Sequence, residues 1–281
     1  MESAALDAEF IGRRLSVEDS VSVGSEGECV FGFSVAGYVT DFIISCTSVA
    51  CALVVICKQR SLDKYSPGVL VIRAFSASAM FYGVAFLSGG LAHMWIGIYH
   101  SQGEMEAFTM GAENSGWIWT WLVAVTTTPS IYTCGLGMVL PYSMRAVWKP
   151  ALALVAFVVA AVEAYLVFNT ELLKLWSGAP NLLVSLLASL IISIWACCRA
   201  CGGEIGMPAI AAGSGTILAA WLQQLFVPAG CRDQCAADFD TLCPYPKDFN
   251  QNAVFHVILL VGIIVQFVGV MQRTQSELYT E

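Results

Sequence analysis

The sequence predicts an all-α fold, a polytopic membrane protein with seven transmembrane helices in one bundle. Of its 281 residues, 57% are hydrophobic and only 12% are charged, whereas soluble domains are about 45–50% apolar and about 25% charged. The chain also contains seven apolar runs separated by short polar loops. Each run is about 18–25 residues long, which is the length that crosses ~30 Å of hydrocarbon as a helix.

The seven predicted spans leave no room for a second soluble domain. Runs such as 182–195 are apolar on all sides, which separates them from the striped helices of a soluble core. Residues 1–36 form an acidic, polar tail that we expect to be disordered, residues 37–272 form the seven-helix domain, and residues 273–281 form a C-terminal tail. The spans are placed at 38–57, 69–92, 117–140, 151–168, 182–198, 209–226 and 253–271.

Lysine and arginine in short loops predict the orientation, because such loops stay on the cytoplasmic side. The loops after spans one, three and five, and the segment after span seven, carry most of these charges. This pattern places the N-terminus outside or in a lumen and the C-terminus in the cytoplasm. The cytoplasmic set is Lys58, Arg60, Lys64, Arg145, Lys149, Arg199 and Arg273.

Four of the eleven cysteines fall on the predicted outer side, where an oxidising compartment permits disulfides. Two bridges among them would hold the long loop before span seven, and three pairings are possible. The alternative is that they are free thiols. The four are Cys29, Cys231, Cys235 and Cys243.

Polar residues inside predicted spans raise functional questions, because such groups are costly in hydrocarbon. Glu163 lies deep in span four and Gln266 lies inside span seven. Both could line a transport path, although the spans show no inverted repeat. The net charge of −8 and the absence of a basic stripe exclude nucleic acid as a partner, which leaves membrane lipids as the expected partners.

A second group of polar residues shares one depth near the outer ends of the spans. His93 ends span two, Glu113 precedes span three, and Asn252 and His256 lie one turn apart at the start of span seven. Two histidines and a carboxylate are the parts of a zinc site with an open position for water. Bound zinc lowers the pKa of that water towards about 7 and polarises a carbonyl. The alternative is that both histidines are interfacial residues that bridge helices.

These residues resemble the motifs of the CREST superfamily of seven-helix membrane hydrolases, which includes the alkaline ceramidases and the progestin and adipoQ receptors. That family has a histidine at the far end of helix two, matched by His93, and a paired-histidine motif on helix seven, matched by His256. Asn252 stands where the first histidine of that motif would be. The segment 249–256 (FNQNAVFH) is also similar to uncharacterised prokaryotic membrane proteins whose last helix begins with an NHN-type phrase.

The resemblance implies a zinc cofactor, a lumenal active site and hydrolysis of a lipid amide. It implies an oxyanion role for Ser88, which lies five residues before His93 where the family's serine lies four before. It implies an aspartate at helix three, for which Glu113 is the substitute.

Three functions remain open on the sequence. The leading prediction is a degenerate, non-catalytic CREST-like receptor, lipid-binding protein or structural protein, because Asn252 replaces a zinc ligand. The first alternative is a zinc-dependent membrane hydrolase acting on a lipid amide. The second alternative is a transporter or channel. All three place the chain in the plasma membrane or an endomembrane.

Overall fold

A computed structural model describes residues 35–59, 67–101, 115–140, 142–168, 179–226, 243–246 and 249–280. The described residues form seven α-helices and a short 3₁₀ turn, Tyr142–Met144, without a strand. An all-α fold is therefore confirmed. The helices are α1 Val35–Gln59, α2 Pro67–Ser101, α3 Ser115–Leu136, α4 Arg145–Phe168, α5 Ala179–Cys201, α6 Met207–Leu225 and α7 Gln251–Thr280.

Each predicted span overlaps one of these helices, although the span placed at 117–140 runs four residues beyond the end of α3 at Leu136. Within the described residues, α1, α2, α4, α5 and α7 are long and apolar enough to cross a membrane. A multi-pass membrane protein is thus supported by five helices, while crossings by α3 and α6 and the orientation stay predictions. Two helices run well past their predicted spans, α2 to Ser101 and α7 to Thr280.

Six helices close into a ring, in which α1 packs on α2, α2 on α3, α3 on α5, α5 on α6, α6 on α7 and α7 on α1. Helix α2 also reaches α7 across the ring. Helix α4 lies outside, mainly against α3, and presents the exposed apolar side chains of Val147, Leu154 and Phe157. Such a face suits contact with lipid.

The closest helix packing is between α6 and α7, where glycines replace side chains. A Cβ atom on Gly213 would lie 2.5 Å from the backbone nitrogen of Gln266 and 2.7 Å from the carbonyl oxygen of Gly262. A Cβ on Gly269 would lie 2.6 Å from the backbone nitrogen of Ile210. Small residues allow such close approach in lipid, where packing rather than the hydrophobic effect drives helix association. Helix α7, which carries His256, therefore packs on α6 with its backbone in close contact.

Pro129 leaves a carbonyl in α3 without its helical donor, since proline lacks the N–H that would bond four residues back. That carbonyl belongs to Val125, and the Asn181 side-chain amide of α5 donates to it at 3.1 Å. The backbone N–H of Asn181 in turn donates to Glu163 Oε1 of α4 at 2.9 Å. The first turn of a helix has unpaired N–H groups that a carboxylate can accept. One polar junction thus joins α3, α4 and α5.

The two polar residues singled out inside the spans both have structural partners. Glu163 is fully buried at this junction. Gln266 is buried on α7 and donates to the Ser214 hydroxyl of α6 at 2.9 Å. These contacts explain both residues as links between helices, and a role in transport stays a prediction.

Candidate functional site

One carboxylate contacts two histidines at the end of the bundle that the sequence places outside. Asp41 lies near the start of α1, His93 in the second half of α2 and His256 near the start of α7. His93 Nδ1 lies 2.9 Å from Asp41 Oδ2, and His256 Nε2 lies 3.3 Å from Asp41 Oδ1. The side chains of Asp41 and His256 are 3% and 5% exposed, and that of His93 is 27% exposed. The structure therefore brings together the two histidines that the sequence matched only in depth.

Glycine on α2 permits this approach. A Cβ atom on Gly90 would lie 3.1 Å from Asp41 Cβ and 3.1 Å from a ring carbon of Phe42. Such a distance is tighter than ordinary van der Waals contact, so a larger residue would require the Asp41 or Phe42 side chain to shift by a few tenths of an ångström. Gly90 thus allows the close approach of α1 and α2 beside the carboxylate and the histidine.

Thr40 fixes the other nitrogen of His256. Its hydroxyl oxygen lies 2.9 Å from His256 Nδ1, 2.7 Å from the Ala36 carbonyl oxygen and 2.8 Å from that of Gly37. A hydroxyl has one proton to donate. If that proton goes to a backbone carbonyl, His256 donates from Nδ1 and turns the lone pair of Nε2 towards Asp41. If it goes to Nδ1 instead, Nε2 carries the proton and donates to Asp41.

A buried asparagine, Asn250, caps the start of helix α7 and positions the segment that carries His256. Asn250 Oδ1 accepts the backbone N–H groups of Asn252 and Ala253, both at 3.1 Å. Asparagine is among the preferred residues for this capping role, because its side-chain oxygen pairs otherwise free N–H groups. Its burial fixes the first turn, and His256 follows about a turn and a half later.

A cavity of about 400 Å³ opens beside the Asp41–histidine contacts. Asp41, His93 and His256 form one part of its wall, and the rings of Phe86 and Trp221 form another. The described polar lining also includes Thr128 and five carboxamides, namely Asn181, Gln224, Asn250, Gln251 and Asn252. This volume lies in the range of small-molecule sites, which are concave, largely apolar and fitted with a few convergent polar groups.

The side chains of Asp41, His93 and His256 are of the types that bind zinc, but their positions fit a zinc ion only in part. A carboxylate and two imidazoles are usual zinc ligands, and Thr40 is the kind of second partner that orients a ligating histidine. Two ligand atoms that each lie ~2.0–2.1 Å from a tetrahedral ion are about 3.3 Å apart, as His256 Nε2 and Asp41 Oδ1 are. His93, however, faces the opposite carboxylate oxygen. In the described part of the chain no group of three or more His, Cys, Asp or Glu side chains is arranged to hold a metal ion, so His93 would have to turn.

The other predicted site residues differ in whether they line the cavity. Asn252 lines the cavity, as expected for a group near the histidines. Ser88 is buried on α2 and is not among the described residues that line the cavity. Glu113 lies outside the described residues, so its part in the site stays a prediction.

The outer cysteines are described only at Cys243. It is buried and does not belong to the free thiols of the described chain. Cys29, Cys231 and Cys235 lie outside the described residues, and the disulfide pairing stays a prediction.

Asp41 is the functional candidate that the sequence analysis missed. It is an acidic residue within the first apolar run, about one turn from its outer end. An ionisable residue in a span is by default a functional candidate, and its depth matches that of His93 and His256. Both signals could have identified it.

Comparisons with protein-family models, with curated proteins and with solved structures find no match for this chain. The likeness to the CREST superfamily therefore remains an expectation from short motifs.

Proposed function

We propose that this chain is a membrane-embedded hydrolase whose centre consists of Asp41, His93 and His256, and that it acts on a lipid-derived substrate in the adjoining cavity. The observation that carries the proposal is the contact of one buried carboxylate with two histidine rings at the wall of that cavity. The fold around it is a helical bundle with five helices able to cross a membrane.

Burial of Asp41 argues that the centre is more than a packing feature. Removing a carboxylate from water is expensive, and its partners must offset that penalty. Simple helix contacts in lipid are made at lower cost by hydroxyls and amides, such as the Gln266 to Ser214 bond. An aspartate with two histidines beside open space is a costly arrangement of a kind that is retained for chemistry or ion binding.

The role proposed for each of the three residues follows from how exposed its side chain is. His93 is the most exposed of the three groups and lines the cavity, so it can exchange a proton with a bound substrate or water. Asp41 and His256 are almost fully buried, which suits the carboxylate to hold its charge in a fixed position and the His256 ring to orient it. If zinc is bound, these three residues are its ligands in this proposal, and it supplies polarisation of a carbonyl and activation of water.

A second candidate function is non-catalytic binding of a lipid or receptor ligand. Asn252 supplies an amide where the hydrolase family has a ligating histidine, and the two rings face different oxygens of Asp41. In this alternative the histidine pair fixes the cavity wall, and the carboxamide lining binds the ligand.

Hydrolysis of acyl lipids tests the proposal. The purified chain in nanodiscs is incubated with an N-acyl lipid and with an ester analogue, and released fatty acid is measured by chromatography. We expect release by the wild type and only the background rate from His93→Ala/His256→Ala. Gln272→Ala, an exposed change on the same helix, serves as the control and should retain activity. Equal release by the wild type and the double variant would contradict the assigned centre.

A further inference from the structure

Two asparagine side chains in the cavity wall each have one free polar atom of known identity. Asn181 Nδ2 donates to the Val125 carbonyl, and its other atom, the buried Oδ1, is an acceptor without a partner among the described residues. Asn250 Oδ1 accepts two backbone N–H groups, and its buried Nδ2 is a donor for which the described part of the chain offers no acceptor. These partners fix which end of each amide is oxygen, a choice that an isolated amide leaves open. The buried Gln251 Oε1 also has no partner among the described residues.

These free atoms indicate what the cavity binds. A buried polar atom without a partner costs about 1–3 kcal/mol, so native structures pair such atoms with protein, water or ligand. The Asn181 oxygen needs a donor, and the Asn250 amide needs an acceptor. A hydroxyl group supplies both functions. A ligand with several hydroxyls can therefore pair with carboxamides of the cavity lining.

Charge disfavours an anionic ligand. The described residues that line the cavity include neither lysine nor arginine, the side chains that usually bind phosphate. Asp41 adds a carboxylate to the same wall, so the described lining side chains carry no permanent positive charge to pair with an anion. A phosphate or carboxylate head group is therefore a poor fit.

The aromatic part of the wall offers ring surface. The Trp221 indole N–H donates to the Tyr132 hydroxyl, so that group is already engaged. Trp221 and Phe86 both line the cavity. Aromatic surface with a few fixed polar groups is the usual composition of a site for an amphipathic ligand.

We infer that the cavity binds an uncharged, hydroxyl-rich head group, of the glycosyl or glyceryl type, carried by a lipid or by a free sugar. The inference rests on the proposed function in that it names the head group of the substrate for the same cavity. The inference is supported by the unpartnered Asn181 and Asn250 atoms, by the lack of basic side chains among the described lining residues, and by the ring surface of Trp221.

Binding in defined bilayers tests this inference. The full chain is placed in phosphatidylcholine nanodiscs without glycosidic detergent, because a sugar-headed detergent would compete. Thermal unfolding is followed while glucosyl-diacylglycerol, its per-O-methylated analogue, phosphatidylserine or free methyl glucoside is titrated. We expect saturable stabilisation by glucosyl-diacylglycerol and little by phosphatidylserine or the methylated analogue, which has lost its hydroxyl donors. If methyl glucoside also stabilises the protein, the sugar alone is recognised. If only glucosyl-diacylglycerol stabilises it, the ligand is the lipid.

A conservative substitution checks that binding uses the carboxamides. Gln251→Met keeps side-chain size and the backbone carbonyl that accepts from Gln223 and Gln224, but it removes the free oxygen. We expect about tenfold weaker binding, the effect of one lost hydrogen bond, and no change for the exposed Gln272→Met. Equal binding of phosphatidylserine, retained binding of the methylated lipid, or no saturable binding of either glucosyl probe would overturn the inference.

The two proposals fail separately. His93→Ala/His256→Ala leaves the carboxamides in place, so glucosyl-lipid binding by this variant without hydrolysis would support both. Hydrolysis of acyl lipids without preference for a hydroxyl-rich head group would retain the proposed centre and reject the inferred ligand.

Discussion

Asp41→Asn is expected to abolish hydrolysis while leaving the bundle folded. The substitution keeps the size of the side chain but replaces one acceptor oxygen with an amide donor. His93 Nδ1 and His256 Nε2 each face a different oxygen of the carboxylate, so only one ring can keep its acceptor. The negative charge that would hold a cation is also lost. Because even outer-shell partners of a metal change affinity or activity by about 10–100-fold, we expect a loss of at least about 100-fold.

The matched control is Glu163→Gln, the same acid-to-amide change at the other buried carboxyl of the described helices. Glutamine retains an oxygen that can accept the Asn181 backbone N–H, and Glu163 is not among the described lining residues of the cavity. We expect near wild-type hydrolysis from this variant. Activity is compared at equal amounts of monodisperse protein. Equal losses in both variants would mean that Asp41 acts through the general stability of the bundle and not through chemistry.

Gly213→Ala is expected to cause the largest loss of stability among single-methyl additions to the described helices. The new Cβ would lie 2.5 Å from the Gln266 backbone nitrogen and 2.7 Å from the Gly262 carbonyl oxygen. These are backbone atoms of α7, so relief requires the two helices to separate. Overpacking of this kind costs about 1–3 kcal/mol or more. Helix separation would also loosen the Gln266 to Ser214 hydrogen bond.

Gly215→Ala supplies the control two residues away on the same helix. Its Cβ would meet only the Ser193 hydroxyl oxygen at 3.6 Å, an ordinary contact. Alanine is a better helix former than glycine by about 0.5–1 kcal/mol, so thermal unfolding in nanodiscs should occur at an unchanged or slightly higher temperature. The midpoint for Gly213→Ala should be clearly lower. Identical midpoints for the two variants would show that α6 and α7 do not pack at this distance.

Hydropathy predicted the helices well because a membrane span must be apolar and long enough to cross the bilayer. The spans at 69–92 and 253–271 lie within α2 and α7, but both helices continue beyond them. The extensions carry polar residues such as Arg273, which a hydropathy window rejects although the backbone stays helical. Helix ends outside the hydrocarbon depend on local contacts, so this part could not be predicted from the same signal.

The sequence predicted that the two histidines lie at the same membrane depth, but not how they are arranged around the bundle. His93 and His256 share a depth because α2 and α7 run in opposite directions, which the span count implies. Their meeting depends on how the ring of helices closes, and on the close approach at Gly90. The residue pattern within one span does not indicate which other spans pack against it. Asp41, by contrast, was visible as an acidic residue in an apolar run, and the same intramembrane rule that selected Glu163 applies to it.

Polar partners inside the bundle explain why Glu163 drew attention without being at the site. A carboxylate within a span signals either function or a local structural need, and sequence does not separate them. The unpaired carbonyl created by Pro129 and the free N–H groups at the start of α5 are backbone features. Only the packing of α3, α4 and α5 shows that Asn181 and Glu163 pair with them.

The metal content of the protein tests the proposed centre most directly. Wild type, Asp41→Asn and Glu163→Gln are purified in nanodiscs, loaded with zinc, dialysed and assayed by elemental mass spectrometry. If the centre holds zinc, about one ion per chain is expected in the wild type and in Glu163→Gln, and that zinc is lost in Asp41→Asn. Equal zinc in all three proteins, or none in the wild type while it hydrolyses lipid, would contradict a metal centre at Asp41, His93 and His256.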